Sequence, residues 1–270
     1  MEIKGKVAVI TGAGSGIGQA VAEKLSTLDV AGLALVDVNV AVEQLASKIN
    51  QRRPGLAQGF VGDVTLEGFR REVFDQAIAR YGIPRICVPA AGITRDALAV
   101  KRDKESGKVA VYPIDTFRLV TEVDLIAPIY WALEMAARMV EDRNTRGLGE
   151  WNPDEHVQGT IIMIGSISSL GNKGQIAYAA AKAGLEGAAA TLMKEAMYHG
   201  IRCGVIHPGF TDTPMVRSMG EDLIREFVLP QTQLKRLIRP EEIADAICFM
   251  ISNSAVSGQL WADAGWHPRA

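Results

Sequence analysis

The chain of 270 residues carries 29 basic and 31 acidic side chains, for a formal net charge of −2, and 48% of its residues are hydrophobic. This size and composition suffice for one α/β domain with a substantial core, and the near-neutral charge gives no electrostatic reason to expect a nucleic acid or an anionic membrane as the partner. No segment approaches the ~20 apolar residues of a membrane span, and the first residues lack a signal-peptide pattern. We therefore expect a cytoplasmic protein that acts on a small molecule.

Short apolar segments rich in β-branched residues alternate with longer segments of helical periodicity. The predicted strands are 6–11, 32–36, 57–61, 85–88, 160–164, 202–207 and 259–262. Because they lack the alternation of a half-exposed sheet, they predict a parallel sheet covered by helices on both faces. Right-handed crossovers then give a doubly wound, seven-stranded Rossmann fold. No repeat or linker divides the chain, so we predict a single α/β domain over residues 1–270.

The first predicted strand leads into a glycine-rich turn and a helical segment, in the sequence VAVITGAGSGIG (7–18). Glycines allow a tight turn and close approach to a pyrophosphate, and the helix N-terminus presents free N–H groups to the phosphates. The spacing Gly-x-x-x-Gly-x-Gly is weak by itself, and a flexible loop is the alternative. The residues predicted to bind the cofactor in this segment are Gly12, Ser15, Gly16, Ile17 and Gly18.

An acidic residue, Asp37, ends the second predicted strand roughly 20 residues after the glycines, where dinucleotide sites require one. Its carboxylate would accept hydrogen bonds from the adenosine ribose but repel a 2′-phosphate, and Val38 and Asn39 offer no compensating cation. The sequence therefore predicts NAD rather than NADP. After the third strand, Asp63 and Val64 are also candidates for the cofactor site. Asp63 either meets the adenine edge or caps a helix that begins near residue 66, and the sequence does not separate these alternatives.

A phenol and an ammonium group are four residues apart in QIAYAAAKAG (175–184), so Tyr178 and Lys182 share one helix face. A phenol titrates near pH ~10, and a nearby ammonium would lower this pKa by stabilising the phenolate. Such a pair also occurs by chance on solvated helix faces. Ser166, twelve residues upstream at the end of a strand, favours a catalytic role for the pair, because its hydroxyl could hold a substrate oxygen beside the phenol.

Over almost its full length the chain resembles the short-chain dehydrogenase/reductase family. The matching features are TGAGSGIG, Asp37, Asp63, the spacing from Ser166 to YAAAK, and HPGFTDTPM at 207–215. The resemblance implies hydride transfer between NAD and a secondary alcohol or its ketone. The resemblance also implies a role for each residue of the group. Ser166 orients the substrate, Tyr178 is the general acid or base, and Lys182 binds the nicotinamide ribose and lowers the pKa of Tyr178.

Further cofactor contacts are implied by the same resemblance. The segment HPGFTDTP lies along the nicotinamide in the family, and the segment after the fourth strand borders the cofactor. The residues assigned on these two segments are Ala91, Gly92, Pro208, Gly209, Thr211 and Thr213.

Two segments depart from the family pattern. The usual Asn-Asn-Ala-Gly after the fourth strand is Pro-Ala-Ala-Gly at 89–92, which removes hydrogen bonds that brace the sheet and predicts a stability cost more than a loss of activity. Asp124 replaces the catalytic Asn, whose main-chain carbonyl holds a water of the proton relay in the family. Pro128 has no N–H to bond this carbonyl, so the relay could survive. A carboxylate at this position would also favour the ammonium form of Lys182.

The segment 164–187 is most similar to 3-oxoacyl-(acyl-carrier-protein) reductases and to NAD-using relatives that oxidise 3-hydroxyacyl thioesters. Biosynthetic reductases of the family generally use NADPH, so Asp37 favours an NAD-dependent 3-hydroxyacyl or other secondary-alcohol dehydrogenase. Two alternatives remain. One is an NADPH-dependent 3-oxoacyl reductase, and the other is a regulator or scaffold that keeps the NAD pocket without turnover, as Asp124 and segment 89–92 would allow.

Several segments outside the motifs also carry expectations. The long connection 94–113 should border the substrate, and 141–158 should lie at the opposite edge of the sheet. The segment 215–231 is either a mobile lid or a plain amphipathic surface helix. The resemblance implies a homodimer or homotetramer that pairs the helix at 175–199.

Cysteine and histidine usage predicts neither disulfides nor a metal site. Three cysteines in apolar runs, Cys87, Cys203 and Cys248, are expected to be reduced core thiols. The histidines lack metal-ligand spacing, and they are His156, His199, His207 and His267.

Overall fold

A computed structural model of the chain describes residues 1–266 and is built around one all-parallel β-sheet. In chain order the strands are β1 (Val7–Thr11), β2 (Gly32–Asp37), β3 (Ala57–Val61), β4 (Pro84–Pro89), β5 (Val100–Arg102), β6 (Val109–Val111), β7 (Gly159–Ile164), β8 (Ile201–Pro208) and β9 (Gly258–Ala262). Seven of them form the sheet in the order β3-β2-β1-β4-β7-β8-β9, and β5 pairs with β6 in a separate hairpin. The predicted doubly wound fold is confirmed, and each predicted strand is found with ends within one residue.

Helices connect the strands and cover the sheet. They are α1 (Gly16–Ser26), α2 (Ala41–Arg52), α3 (Glu67–Tyr81), α4 (Ile114–Thr121), α5 (Ala127–Thr145), α6 (Ile176–Ala196), α7 (Pro214–Arg217), α8 (Glu221–Leu223) and α9 (Pro240–Ser252). A π-helical turn, Glu122–Ile126, joins α4 to α5. Within residues 1–266, no helix combines the length and the apolar character needed to cross a membrane.

Two hydrophobic clusters, one on each face of the sheet, explain why the strands read as continuous apolar runs. In β1, Ala8 and Ile10 join the cluster formed with α1, α2 and α9, while Val9 joins the cluster formed with α3, α5 and α6. Successive side chains of a strand point to opposite faces, so a sheet buried on both faces needs apolar residues at every position.

The three cysteines are buried and form no disulfide, as predicted. Burial raises the pKa of the Cys203 thiol to about 12 and that of Cys248 to about 11, and it raises the pKa of Cys87 as well. Thiols held in the protonated form are poor nucleophiles and metal ligands, so these three are core residues.

The long connection 141–158 lies at the amino ends of the strands, as expected. Arg143 of α5 is buried and donates to Glu155 (2.7 Å), and the N–H of Trp151 donates to the carbonyl of Tyr198 (2.8 Å). Gln158, just before β7, donates from its N–H to the carbonyl of Gly200, just before β8 (2.8 Å). Ligands bind at the opposite, carboxyl ends of such strands, so this segment is remote from the site described below.

Candidate active site

The sheet order reverses between β1 and β4, and this reversal opens a crevice at the carboxyl ends of the strands. A cavity of about 440 Å³ lies there, the cofactor cleft. Most of the residues predicted to bind the cofactor line it: Gly12, Ser15, Gly16, Ile17, Gly18, Asp37, Asp63, Val64, Ala91, Gly92, Tyr178, Lys182 and Thr213. The remaining three, Pro208, Gly209 and Thr211, line a second, adjoining cavity.

The glycine turn at the start of α1 suits a pyrophosphate. Ser15 precedes the first residue of α1, but its side chain caps none of the helix N–H groups, and the first turn holds no acidic residue. These N–H groups thus remain available for an anion. Gly12 has φ of +67° and lies against β4, where a Cβ would come within 2.7 Å of the backbone of Ala90. Any larger residue at position 12 would push the turn out of place.

Asp37, at the end of β2, is fixed against the glycine turn. One carboxylate oxygen accepts the N–H of Gly14 (2.8 Å) and the other accepts the N–H of Asn39 (2.9 Å). Each oxygen keeps further acceptor capacity, so the carboxylate can also receive hydrogen bonds from the hydroxyls of a ribose.

Asp63 does not cap α3, so that alternative is wrong. One of its oxygens accepts both the N–H (2.9 Å) and the hydroxyl (2.7 Å) of Thr65, and α3 begins at Glu67 with no side-chain cap. Within residues 1–266 its second oxygen accepts no hydrogen bond, and Asp63 lines the cofactor cleft.

Ser166, Tyr178 and Lys182 meet where β7 ends beside the first turns of α6. Ser166 follows β7, and its hydroxyl accepts the N–H of Ser168 (3.0 Å). The ammonium of Lys182 lies 5.5 Å from the centre of the Tyr178 ring and donates to the carbonyl of Ile164 (3.1 Å). The predicted group is therefore assembled, with Lys182 buried behind Tyr178.

The pKa of Tyr178 is raised above the ordinary value of a phenol, although Lys182 lowers it as predicted. Burial of the phenol, the largest influence, raises its pKa, and the Asp124 carboxylate acts in the same direction. Lys182 and a hydrogen bond from Ser166 lower this pKa but do not outweigh the loss of hydration. The predicted lowering of this pKa by Lys182 is therefore present, but burial of the phenol, which the sequence does not show, outweighs it.

Asp124 lies behind Lys182 in the π-helical turn and is fully buried. Both of its oxygens accept the N–H of Ile93 (3.2 Å each), and one of them is 3.4 Å from the Lys182 ammonium. Gly92 makes this approach possible, since a Cβ there would lie 2.5 Å from the carboxylate. Burial raises the pKa of Asp124, and Lys182 opposes that rise.

This position alters the predicted role of Asp124. Its side chain lines neither the cofactor cleft nor the second cavity, so it acts on the site through Lys182, through the N–H of Ile93 and through the effect of its charge on Tyr178. The carbonyl of Ile164 accepts one N–H of the Lys182 ammonium, and Asp124 pairs with its charge at 3.4 Å, so the ammonium keeps donor capacity for a ribose hydroxyl. Pro128, at the second position of α5, has no N–H to bond the Asp124 carbonyl in α-helical register.

The second cavity, of about 330 Å³, is the candidate substrate cavity, and Ser166 and Tyr178 line it. We call its polar lining residues, among them Thr94, Asp96 and Gln175, the polar wall, and its apolar lining residues the apolar wall. The apolar wall is formed by Ile167, Phe210, Met215, Val216 and Met219. Thr94 and Asp96 belong to segment 94–113, which borders this cavity as expected.

The segment 215–231 is not one amphipathic helix. It is divided into α7, α8, a π-helical turn (Ile224–Val228) and a 3₁₀ turn (Leu229–Gln231). Arg217 fastens its first part: the guanidinium donates to both oxygens of Asp212 (2.6 and 2.7 Å) and to Glu221 (2.6 Å). These ion pairs hold α7 over the substrate cavity.

His207, which the sequence reasoning considered only as a metal ligand, supports Ser166 from behind. It is fully buried, stacks on Trp261 with 4.2 Å between ring centres, and places its Nδ1 3.3 Å from the backbone nitrogen and 3.2 Å from the carbonyl oxygen of Ser166. Nδ1 accepts from the first or donates to the second according to the ring tautomer. Burial lowers the pKa of His207, which favours the neutral ring. Its only sequence signal was its place in the HPG segment at the end of β8.

Other residues of the cleft that the sequence did not indicate include Ile93, Arg95, Leu119 and Val123. Ile93 and Arg95 follow β4 at the switch point, so topology could have found them, but Leu119 and Val123 reach the cleft only through the packing of α4. In the described part of the chain, no three His, Cys, Asp or Glu side chains are grouped to hold a metal ion. His267 lies outside the described residues.

Comparison with known proteins agrees with this arrangement. Residues 12–267 match the family model described as enoyl-(acyl carrier protein) reductase. The 3-oxoacyl-[acyl-carrier-protein] reductase of Thermotoga maritima is 34% identical, with 96% of each chain covered. That of Escherichia coli K12 is 32% identical, with 94% of this chain and 93% of the relative covered. The (3R)-3-hydroxyacyl-CoA dehydrogenase of Canis lupus familiaris is 31% identical, with coverage of 94% and 92%.

A solved structure supports the fold. The crystal structure of a short-chain type dehydrogenase/reductase from Mycobacterium marinum matches with a TM-score of 0.82 at 24% identity, covering 98% of this chain and 96% of that one. Fold, family model and curated relatives agree: the chain belongs to the short-chain dehydrogenase/reductase family and is an oxidoreductase that acts on hydroxyl or keto groups.

Proposed function

We propose that the protein is an NAD-dependent oxidoreductase that interconverts a secondary alcohol and its ketone, with a 3-hydroxyacyl or 3-oxoacyl thioester as the preferred substrate. The observation that carries this proposal is the position of Tyr178, which lines both the cofactor cleft and the substrate cavity. A group at this junction can exchange a proton with a substrate oxygen while hydride passes between the two cavities.

The proposed chemistry divides among three side chains. Ser166 donates a hydrogen bond to the substrate oxygen, and Tyr178 takes the hydroxyl proton during oxidation or returns it during reduction. Lys182 stabilises the phenolate form and holds the nicotinamide ribose. The nicotinamide, when bound, supplies the hydride acceptor or donor. Asp124 is a positioning residue that pairs with Lys182 and keeps it directed at the cleft.

Asp37 supports the choice of NAD. Its carboxylate lies against the glycine turn, where it would meet the adenosine ribose and repel a 2′-phosphate. Among the described residues that line the cleft, Arg95 and Lys182 are the cations, and Lys182 is already paired with Asp124. An NADPH-dependent 3-oxoacyl reductase, the alternative, would require Arg95 to hold the phosphate. Replacing Arg95 by Gln tests that requirement directly.

A thioester substrate is supported by the relatives and by the cavity. Two relatives are named for 3-oxoacyl-[acyl-carrier-protein] reduction and one for 3-hydroxyacyl-CoA dehydrogenation. The apolar wall suits an acyl chain. On the polar wall Gln175 accepts from Ser168 (2.8 Å) and donates to Asp96 (2.9 Å), which fixes polar groups near the thioester end.

We also propose a single domain that assembles as a homodimer or homotetramer in the cytoplasm. Tyr130 and Leu133 of α5 and Ile176 of α6 are exposed apolar residues on the helices that family members pair. The three free thiols suit a reducing compartment. Sedimentation equilibrium and cell fractionation test these two points.

The deciding experiment follows absorbance at the NADH band with a panel of secondary alcohols and ketones, including 3-hydroxyacyl and 3-oxoacyl thioesters, with NAD(H) and NADP(H). Turnover with NAD(H) and a thioester that is lost in Tyr178→Phe supports the proposal. A preference for NADP(H) contradicts the Asp37 argument. Tight NADH binding without turnover of any panel member favours the regulator or scaffold instead.

A further inference from the structure

A hairpin formed by β5 and β6, residues 100–111, carries an unusual set of exposed charges; we call it the basic hairpin. Its cations are Lys101, Arg102, Lys104 and Lys108, all exposed. In the described part of the chain none of them forms an ion pair.

The hairpin's two acidic residues do not neutralise these cations. Asp103 is committed to the turn, where one oxygen accepts the N–H and the hydroxyl of Ser106 (2.7 Å each). Glu105 is the other acidic residue between the strands. Four cations against two carboxylates leave a net charge of +2 on the hairpin, in a protein whose formal net charge is −2.

The base of the hairpin is tied to the lining of the substrate cavity. Asp96, just before the hairpin, lines that cavity, and the N–H of Ala97 donates to the carbonyl of Gly174 (2.8 Å), two residues before α6. On the returning side the hydroxyl of Tyr112 donates to the carbonyl of Arg95 (2.6 Å). An extended chain spans at most about 3.6 Å per residue, so Lys101 lies within about 18 Å of Asp96.

We infer that the basic hairpin binds the phosphate of the pantetheine arm that carries the acyl group, an arm shared by coenzyme A and acyl carrier protein. This inference rests on the proposed thioester substrate. The reacting carbon must reach Tyr178 in the substrate cavity, so the phosphate, at the far end of the arm, must lie outside it. Unpaired Lys and Arg side chains are suitable ligands for such a phosphate.

The apolar side of the hairpin fits the rest of the arm. Val100 lies directly opposite Val111 in the register of the two strands, and Val109 follows on the same face. All three are more than half exposed, at 61%, 73% and 64%. An apolar strip beside cations matches an arm that combines methyl groups and amides with a terminal phosphate.

The test replaces all four hairpin cations by Gln (K101Q/R102Q/K104Q/K108Q) and compares three thioesters of one acyl group. Two carry the phosphate, on coenzyme A and on acyl carrier protein; the third, an N-acetylcysteamine thioester, has none. A matched control replaces four exposed cations elsewhere by Gln: Lys4, Lys48, Arg52 and Lys235. We expect KM for a phosphate-bearing thioester to rise roughly 5- to 30-fold in the hairpin variant, with kcat, the N-acetylcysteamine reaction and the control variant unchanged.

The pattern of results identifies the source of the phosphate. A rise confined to one carrier assigns the hairpin to that carrier, and raised salt should reproduce the effect in the unaltered protein. Unchanged KM for both carriers overturns the inference, as does an equal rise for the N-acetylcysteamine thioester, which would mean that the hairpin only shapes the cavity.

A binding measurement separates this inference from the proposed function. If no thioester is turned over, the proposed substrate class fails, but calorimetry with coenzyme A and with free phosphopantetheine still tests the hairpin. Binding to the unaltered protein that is lost in the hairpin variant supports the inference. Absence of binding to the unaltered protein refutes it.

Discussion

Replacing Asp37 by Asn tests the origin of cofactor selectivity. The Asp37 carboxylate is held by the N–H groups of Gly14 (2.8 Å) and Asn39 (2.9 Å) at the edge of the cofactor cleft. Asparagine has nearly the same shape and keeps one acceptor oxygen. The variant therefore removes the negative charge, while the side chain retains an acceptor for one of its two backbone N–H partners.

The size of the effect follows from the charges that would meet at this position. A 2′-phosphate carries about −1.5 to −2 charges, and at ~4 Å in a water-like dielectric each pair of unit charges costs about 1 kcal/mol. The carboxylate should thus disfavour NADPH by about 1.5 to 2 kcal/mol, roughly 13- to 30-fold. Loss of the charged acceptor should weaken NADH binding by about 1 kcal/mol, roughly fivefold. Together these changes shift the preference by about 100-fold.

The assay measures the dissociation constants of NADH and NADPH by nucleotide fluorescence, so it does not depend on knowing the substrate. Asp63→Asn is the matched control, because Asp63 also lines the cleft and the change in net charge is the same. We expect the control to leave the NADH to NADPH ratio within about threefold of the unaltered protein. A preference of the unaltered protein for NADPH would refute the reasoning. So would a change in the NADH to NADPH ratio in Asp37→Asn that is no larger than the change in the control.

Three further predictions concern the proton-transfer group. Tyr178→Phe should lower kcat by roughly 10²- to 10⁴-fold, the range of general acid–base catalysis, while NADH binding measured by fluorescence is retained. Oxidation needs the phenolate, so its rate should rise with pH as Tyr178, whose pKa is raised, loses its proton. Asp124→Asn removes a carboxylate that raises this pKa, so the rising limb of the pH–rate profile should move to lower pH. Asp124→Ala leaves Lys182 buried without its counter-ion and should lower the free energy of unfolding, measured in urea, by about 3 to 5 kcal/mol. Asp124→Asn keeps an acceptor for the N–H of Ile93 and should lower this free energy by less. An unmoved limb in Asp124→Asn, or equal stabilities of the two variants, would contradict the assigned role of Asp124.

The elements that the sequence predicts well are those in which one physical constraint acts on consecutive residues. A strand buried on both faces must be largely apolar, and β1, β2, β4, β7 and β8 show this pattern, whereas the edge strands β3 and β9 are only partly buried. The cofactor cleft follows from topology, because strands read in order fix the switch point at which the glycine turn and Asp37 converge.

The sequence does not predict features that depend on packing between distant segments or that leave no hydrophobic pattern. The basic hairpin has no buried face, so its strands leave no hydrophobic period and only the length of segment 94–113 marks it. The support of Ser166 by His207 joins residues 41 apart in the chain. The direction of the Tyr178 pKa shift could not be predicted without the degree of burial. The i, i+4 spacing reveals the charge of Lys182, but burial outweighs its effect on this pKa.

The two departures from the family pattern are physically connected. Segment 89–92 lacks the usual Asn side chains, yet the N–H of Ala91 donates to the hydroxyl of Thr11 (3.1 Å), and the next N–H but one, that of Ile93, donates to Asp124 (3.2 Å). The carboxylate that replaces the family's Asn thus braces the strand end from which Asn side chains are missing, while it also holds Lys182. A buried ion pair is costly to desolvate, and a protein without turnover would not require one to direct Lys182 at the cleft. The pairing of these substitutions therefore favours a working oxidoreductase over a regulator that retains only the nucleotide pocket.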